Sequence, residues 1–194
     1  MTKDYVTKRL DDHSRLDDVY RLTHDSLVDA GDILPQEDDQ IISAPHLDRI
    51  AQTTIVIAEK NEEIVGTVSV TIDGPSGLIS DNYFREETDL VRSRCNGAFC
   101  STWRMATAKE YRGNLRLVQE LILESFNIAR ENSCELCLFV FNERHVRVYK
   151  RLIKAEVIAR KDASVDQNTQ LPVVLMQMDM VQGWNTFNQR RKLA

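Results

Sequence analysis

No apolar run in this sequence approaches the roughly 20 residues that a membrane-spanning helix needs, and Met1 to Asp12 mixes charged and polar groups where a secretion leader would be apolar. The expectation is a chain without a membrane span that works in the cytoplasm. Cysteine is also scarce: four in 194 residues with no secretion signal argue against a disulfide framework and for reduced core thiols. Cys134-Glu135-Leu136-Cys137 has the spacing of a metal or redox pair, but it lies in a segment that reads as a buried strand, where residues three apart point to opposite faces. No metal is therefore expected, and Cys95 and Cys100 have no histidine close in sequence to complete a site. An overall basic excess is missing too; the net charge of −5 argues against general nucleic-acid binding. There is no internal repeat and no low-complexity tract.

What is present is the balance of one globular domain over residues 1–194, with 42% hydrophobic and 28% charged residues and a C-terminal tail from about 182 to 194. Its charge is uneven. Residues 1–50 hold 6 Lys and Arg against 12 Asp and Glu, whereas residues 104–160 hold 11 Lys and Arg against 7 Glu. An anionic ligand or partner is drawn to that second segment.

Tyr5 to Leu10 reads as a strand, and Ser14-Arg15-Leu16-Asp17 has the form of a helix N-cap followed by an acidic third position. Leu16, Val19, Tyr20, Thr23 and Leu27 share one face of the ensuing helix, and Gly31 suits its C-cap. Gly31 to Pro45 is a long acidic loop, and His46 to Ala51 adds a turn of helix. Thr53 to Glu59 and Ile64 to Ile72 are rich in β-branched residues and form a hairpin; Asp73 to Asn96 is a connection with one short helix. Ala98 to Thr107 is a strand, Lys109 to Arg116 a basic loop, and Val118, Leu121, Ile122, Ser125, Phe126 and Ala129 trace the buried face of a long helix. Cys134 to Phe141 completes a βαβ crossover whose two strands are candidates for parallel neighbours. Glu143 to Ile153 is a further helix; Val157 to Arg160 and Val173 to Met180 are the last strands.

This order resembles the GCN5-related N-acetyltransferase (GNAT) fold, an α/β architecture with a central twisted mixed sheet flanked by helices. The local match lies in Arg104-Met105-Ala106-Thr107-Ala108-Lys109-Glu110-Tyr111-Arg112-Gly113, which is similar to the family's fourth strand and the opening of its pyrophosphate loop. In that family a turn at a helix N-terminus offers backbone N–H groups to phosphate oxygens, which the helix dipole also favours. The resemblance implies that Met105, Thr107, Arg112, Gly113, Asn114, Leu115 and Arg116, with Asn142 at the end of the fifth strand, hold the thioester donor. Leu115 and Leu117 stand where the family pattern has small residues. Phe141-Asn142-Glu143-Arg144 followed by Val148-Tyr149-Lys150-Arg151-Leu152 resembles the fifth strand and the helix beyond it, and implies Tyr149 as general acid to the departing thiolate. Lys154-Ala155-Glu156 replaces the Gly-Phe usual after that helix.

Three stretches, Val19-Tyr20-Arg21-Leu22 to Asp29-Ala30-Gly31 in the first helix, Gly66 to Val70 and Phe84 to Leu90, resemble a narrower branch, that of the long-chain N-acyl amino acid synthases and acyl-homoserine lactone synthases. This second resemblance implies an N-acyltransferase taking an acyl group from acyl-CoA, acetyl-CoA or acyl carrier protein, with a small-molecule amine or amino acid as acceptor. The acidic carrier protein would give the basic segment its purpose. Many members carry a Glu on the fourth strand where this chain has Ser101; Glu59 is a possible substitute base, and His145, one turn from Tyr149, reads as a partly exposed surface histidine. Ser101, Leu115 and Leu117 also support a second reading: a degenerate module that binds acyl-CoA or acyl carrier protein as a sensor without turnover.

Overall fold

The computed structural model describes residues 3–162 and 172–192. Its elements are β1 (Val6–Arg9), α1 (Leu16–Asp29), α2 (Pro45–Asp48), β2 (Thr53–Lys60), β3 (Glu63–Ile72), α3 (Arg85–Arg94), β4 (Ala98–Thr107), α4 (Leu115–Glu131), β5 (Cys134–Asn142), α5 (Val146–Ile153), β6 (Glu156–Lys161), β7 (Val173–Asp179) and α6 (Met180–Lys192). The strands form one mixed sheet in the order β1-β2-β3-β4-β5-β7-β6. Every neighbouring pair is antiparallel except β4 and β5, which the α4 crossover makes parallel. Among the described residues no helix is long and apolar enough to cross a membrane.

Alternation along the strands sorts the core into two layers. Val56, Ala58, Val68 and Val70 face α4 and α6, where Leu117, Leu121, Phe126 and Phe187 meet them. Ile55 and Ile57 face α1 through Leu16, Val19 and Tyr20. The β2–β3 hairpin turns at Asn61 and Glu62, both in the left-handed region (φ 49° and 69°), as a two-residue turn of this hand requires. Helix α1 ends in a Schellman motif: Gly31 has φ 73°, its N–H reaches Val28 O at 2.9 Å, and the N–H of Asp32 reaches Leu27 O at 2.9 Å.

The structure corrects several expectations. Asp12, not Ser14, is the capping residue: it accepts from the Ser14 N–H at 2.8 Å and starts a 3-10 turn that leads into α1. The expected tail is helix α6 through Lys192, with Met180, Gly183 and Phe187 buried; residues 193–194 lie outside the described residues. Gly183 lets this helix come close, since a Cβ there would stand 2.2 Å from Met178 Sδ.

The cysteine argument also changes. Ala98 pairs with Cys134 but Phe99 pairs with Leu136, so Glu135 is an extra residue in β5. That bulge turns Cys134 and Cys137 to the same face, where both join Cys100 in the core. Contact with these two thiols, then burial, pushes the Cys100 thiol well above its usual range. All four cysteines are free, and among the described residues no group of His, Cys, Asp or Glu is arranged to hold a metal ion. Cys137→Ala is expected to cost on the order of 1 kcal/mol through lost packing, seen as a lower denaturant midpoint without loss of metal. About one zinc per chain by elemental analysis would overturn this.

Candidate functional site

Strands β4 and β5 are paired only as far as Thr102 and Phe139, although they run on to Thr107 and Asn142. Beyond that point they splay, and the backbone between Trp103 and Thr107 leaves its parallel partner. A bulge on the other side of β4 accompanies the opening: Thr67 pairs with Ala106 and Ser69 with Trp103, so Arg104 and Met105 together face Val68. Arg104 takes φ 55°, a left-handed conformation that costs a non-glycine residue on the order of 1–2 kcal/mol. Its fully buried guanidinium is ion-paired to buried Asp48 of α2 and lies 4.2 Å from the Trp103 ring centre and 5.2 Å from that of Tyr20. Tyr20 donates to the other Asp48 oxygen at 2.7 Å.

Two cavities meet at this splay. The first is a narrow apolar cleft between β4, β5, α4, α5 and α6, with Thr102, Ile122, Ala129, Cys137 and Met178 deep in its wall. The second opens on the opposite face of the sheet, under the loop between α1 and α2, and is bordered by Asp32, Gln36, Trp103, Asn142 and His145. Met105 and Phe141 line both.

Tyr149 stands where they join. Its ring stacks on Phe141 with centroids 4.1 Å apart and planes 4° from parallel, and its hydroxyl donates to Met105 Sδ at 3.6 Å. Burial pushes that hydroxyl up to about 12, so it stays protonated through the neutral range. Tyr149, Met105 and Asn142, expected from the sequence as site residues, therefore converge; Thr107, paired with Gly66 at the end of β4, lines neither cavity.

The basic loop is built at the N-terminus of α4. Gly113 has φ 78° with nothing within 4 Å of where a Cβ would stand. Asn114 caps the helix by accepting from the Leu117 N–H at 3.2 Å; the Leu115 and Arg116 amides, in the same first turn, have no intrahelical acceptor. The two leucines do not fill the loop. Leu115 is exposed, and Leu117 is buried on Gly66 of β3, where a Cβ would lie 3.3 Å from the leucine Cδ2. Arg112 pairs with Asp29 at 3.2 Å and Arg116 with Glu120 at 3.4 Å; both are exposed pairs that a polyphosphate can displace. The outer face of α5 adds exposed Arg147, Lys150 and Arg151.

Of the candidate bases, Glu59 is spent on Lys8 and Arg15, and the Lys8 ammonium foremost holds its carboxyl below the usual range. Ser101 is fully buried with an unpartnered hydroxyl. His145 faces the second cavity edge-on to Phe141; burial, then Arg144, lowers its pKa and keeps the ring neutral near pH 7. At the end of α5, Lys154 takes φ 56° in the place where the family has glycine. Sequence reasoning missed Thr102, Ala129, Met178 and Met180 as wall residues. Each sits at a periodic apolar position, which signals burial without saying against what.

A family model, that of the N-acyl amino acid synthase FeeM, matches residues 18–179. Among solved structures the chain is similar to FeeM from uncultured soil microbes, with TM-score 0.76 and 16% identity over 94% of each chain. It is also similar to the AHL synthase LasI, with TM-score 0.65 and 13% identity over 93% of this chain and 95% of that one. A GNAT-family acetyltransferase from Streptococcus pneumoniae aligns with TM-score 0.59 and 15% identity over 90% of this chain and 98% of that one. No curated protein sequence matches.

Proposed function

Because the chain belongs to the family of the N-acyl amino acid synthase FeeM and is an N-acyltransferase of GNAT fold, we propose that it moves a medium or long acyl chain from a carrier thioester to the amine of an amino acid. The observation that carries this reading is the meeting of two cavities at Met105 and Phe141, one apolar and one of mixed lining that includes Asp32, Asn142 and His145, with Tyr149 in the wall of the first and in contact with both shared residues. The apolar cavity takes the acyl chain, the splay between β4 and β5 takes the pantetheine arm, and the α4 N-terminus with Arg112 and Arg116 takes its phosphate. Amine attack forms the C–N bond and breaks the C–S bond; the ammonium loses a proton and the thiolate gains one. Tyr149, protonated and bound, among the described residues, only to a thioether, is placed to donate its hydrogen bond to the sulfur as charge develops there. The exposed cations of α5 and the basic loop favour an acidic carrier protein as the donor's bearer.

The test is thiol release from short- and long-chain acyl-CoA and acyl carrier protein, with the common amino acids as acceptors and the N-acyl product identified by mass. Turnover with a long chain and an amino acid is expected. Donor binding without any thiol release would favour a sensor, the reading for which the absence of a carboxylate at Ser101 speaks. Charge reversal at Arg112 or Arg116 is expected to weaken donor binding by about tenfold or more, the size of one or two charge-assisted hydrogen bonds, and to leave the fold intact. Calorimetric titration showing parental affinity in both variants would remove the loop from the donor site.

A further inference from the structure

Asp32 follows the Schellman turn of α1, so its backbone is fixed, and its side chain is only 4% exposed at the border of the second cavity. One oxygen, Oδ2, is ion-paired to Arg144. The other, Oδ1, is buried and has no hydrogen-bond partner among the described residues. Arg144 is itself clamped: it donates to Ala30 O at 3.1 Å and to His145 Nε2 at 3.2 Å, so it holds the carboxylate in one orientation while leaving Oδ1 unanswered. Buried carboxylate oxygens are almost always met by a donor.

The charges around the cavity show which donor is missing. Asp32 and Asp38 both border it. The bordering cation, Arg104, is sealed on Asp48 with no side-chain exposure, and His145 is neutral near pH 7. Asp32 is already paired with Arg144, so what the lining offers an entering cation is the unpartnered Oδ1 and the second carboxylate of Asp38. Building on the acyltransferase reading, we infer that Asp32 binds the acceptor's ammonium group, with Oδ1 receiving one of its N–H bonds, and thereby selects a charged primary amine such as that of an α-amino acid. Arg144 orients the carboxylate and does not touch the substrate. The acceptor then lies in the cavity that Met105 and Phe141 share with the apolar one, and its ammonium gives up one proton to solvent before the neutral amine attacks.

The experiment uses the full chain and calorimetric binding of two probes: the common amino acid that binds it most tightly, and the matching 2-hydroxy acid, in which a hydroxyl replaces the ammonium. The parent is expected to prefer the amino acid by about tenfold or more, and Asp32→Asn to lose that preference with donor affinity unchanged. Arg144→Gln, which leaves the carboxylate charged, should keep the preference. Equal binding of both probes by the parent, no binding of either, or a preference that survives in Asp32→Asn would overturn the inference. Should Asp32→Asn fail to fold, the comparison of the two probes on the parent decides. An Asp32-dependent preference without thiol release would sink the proposed reaction alone; thiol release with equal affinity for both probes would sink the role of Asp32 alone.

Discussion

Phenylalanine at position 149 is expected to lower turnover by about two to three powers of ten while donor affinity and melting temperature stay close to the parent's. The substitution keeps the ring and its stack on Phe141, so the packing energy is retained. What it removes is a hydroxyl bonded, among the described residues, only to Met105 Sδ at 3.6 Å, a weak acceptor that a thioester sulfur readily replaces. Because burial pushes that hydroxyl up to about 12, well above an ordinary thiol, the role proposed for Tyr149 is a hydrogen bond to the departing sulfur, with the thiol's proton coming in balance from the amine. Unchanged thiol release in the variant would take Tyr149 out of the mechanism. A fall in donor affinity equal to the fall in rate would make it a binding residue.

The largest effect on stability is expected at Asp48. Asp48→Ala leaves the Arg104 guanidinium buried without its anion and the Tyr20 hydroxyl without its acceptor, a loss of about 3–5 kcal/mol. Against a net stability of about 5–15 kcal/mol for a domain, this threatens the fold. Nε and Nη1 of Arg104 already have no partner among the described residues, so none of these takes over the charge. The double variant Asp48→Leu with Arg104→Met should recover much of the loss, since a well-packed apolar pair often equals a buried ion pair. Chemical denaturation of the parent and both variants checks this; a loss below about 1 kcal/mol in Asp48→Ala would show that the pair is solvated or dispensable. The bulge of β4 makes the same pair matter to the site: Arg104 is where the strand turns out of register, and Met105 follows it.

Much of this arrangement could be read from the residues in order. Alternation in β2 and β3, the helical stripe from Val118 to Ala129 and the parallel crossover are all local signals, and the structure repeats them with shifts of a residue or two. Tyr149 and Met105 belong to motifs adjoining strands, and they do converge. Helix α6 was legible in principle, since Met180, Gly183, Trp184 and Phe187 recur at helical spacing, but its many polar residues disguised it. The bulge at Glu135 was not legible: an extra residue in one strand depends on its neighbour, here on Gly97, where a Cβ would stand 2.5 Å from Glu135 Cδ. Nor did anything local join Asp32 to Arg144, which lie 112 positions apart. A left-handed arginine in mid-strand runs against propensity, and a tertiary ion pair holds it there.

The strand order has a consequence for how the chain comes to be folded. Strand β7 lies between β5 and β6, so the second edge of β5 stays bare until Val173–Asp179 has been made and threaded into place. During synthesis that edge belongs to Cys-Glu-Leu-Cys-Leu-Phe-Val-Phe-Asn, a nine-residue β-former with a single charge. Such an edge invites pairing with another nascent chain. The strand that walls the apolar cavity is thus also the place where an unfinished molecule is most open to aggregation, until β7 pairs with it.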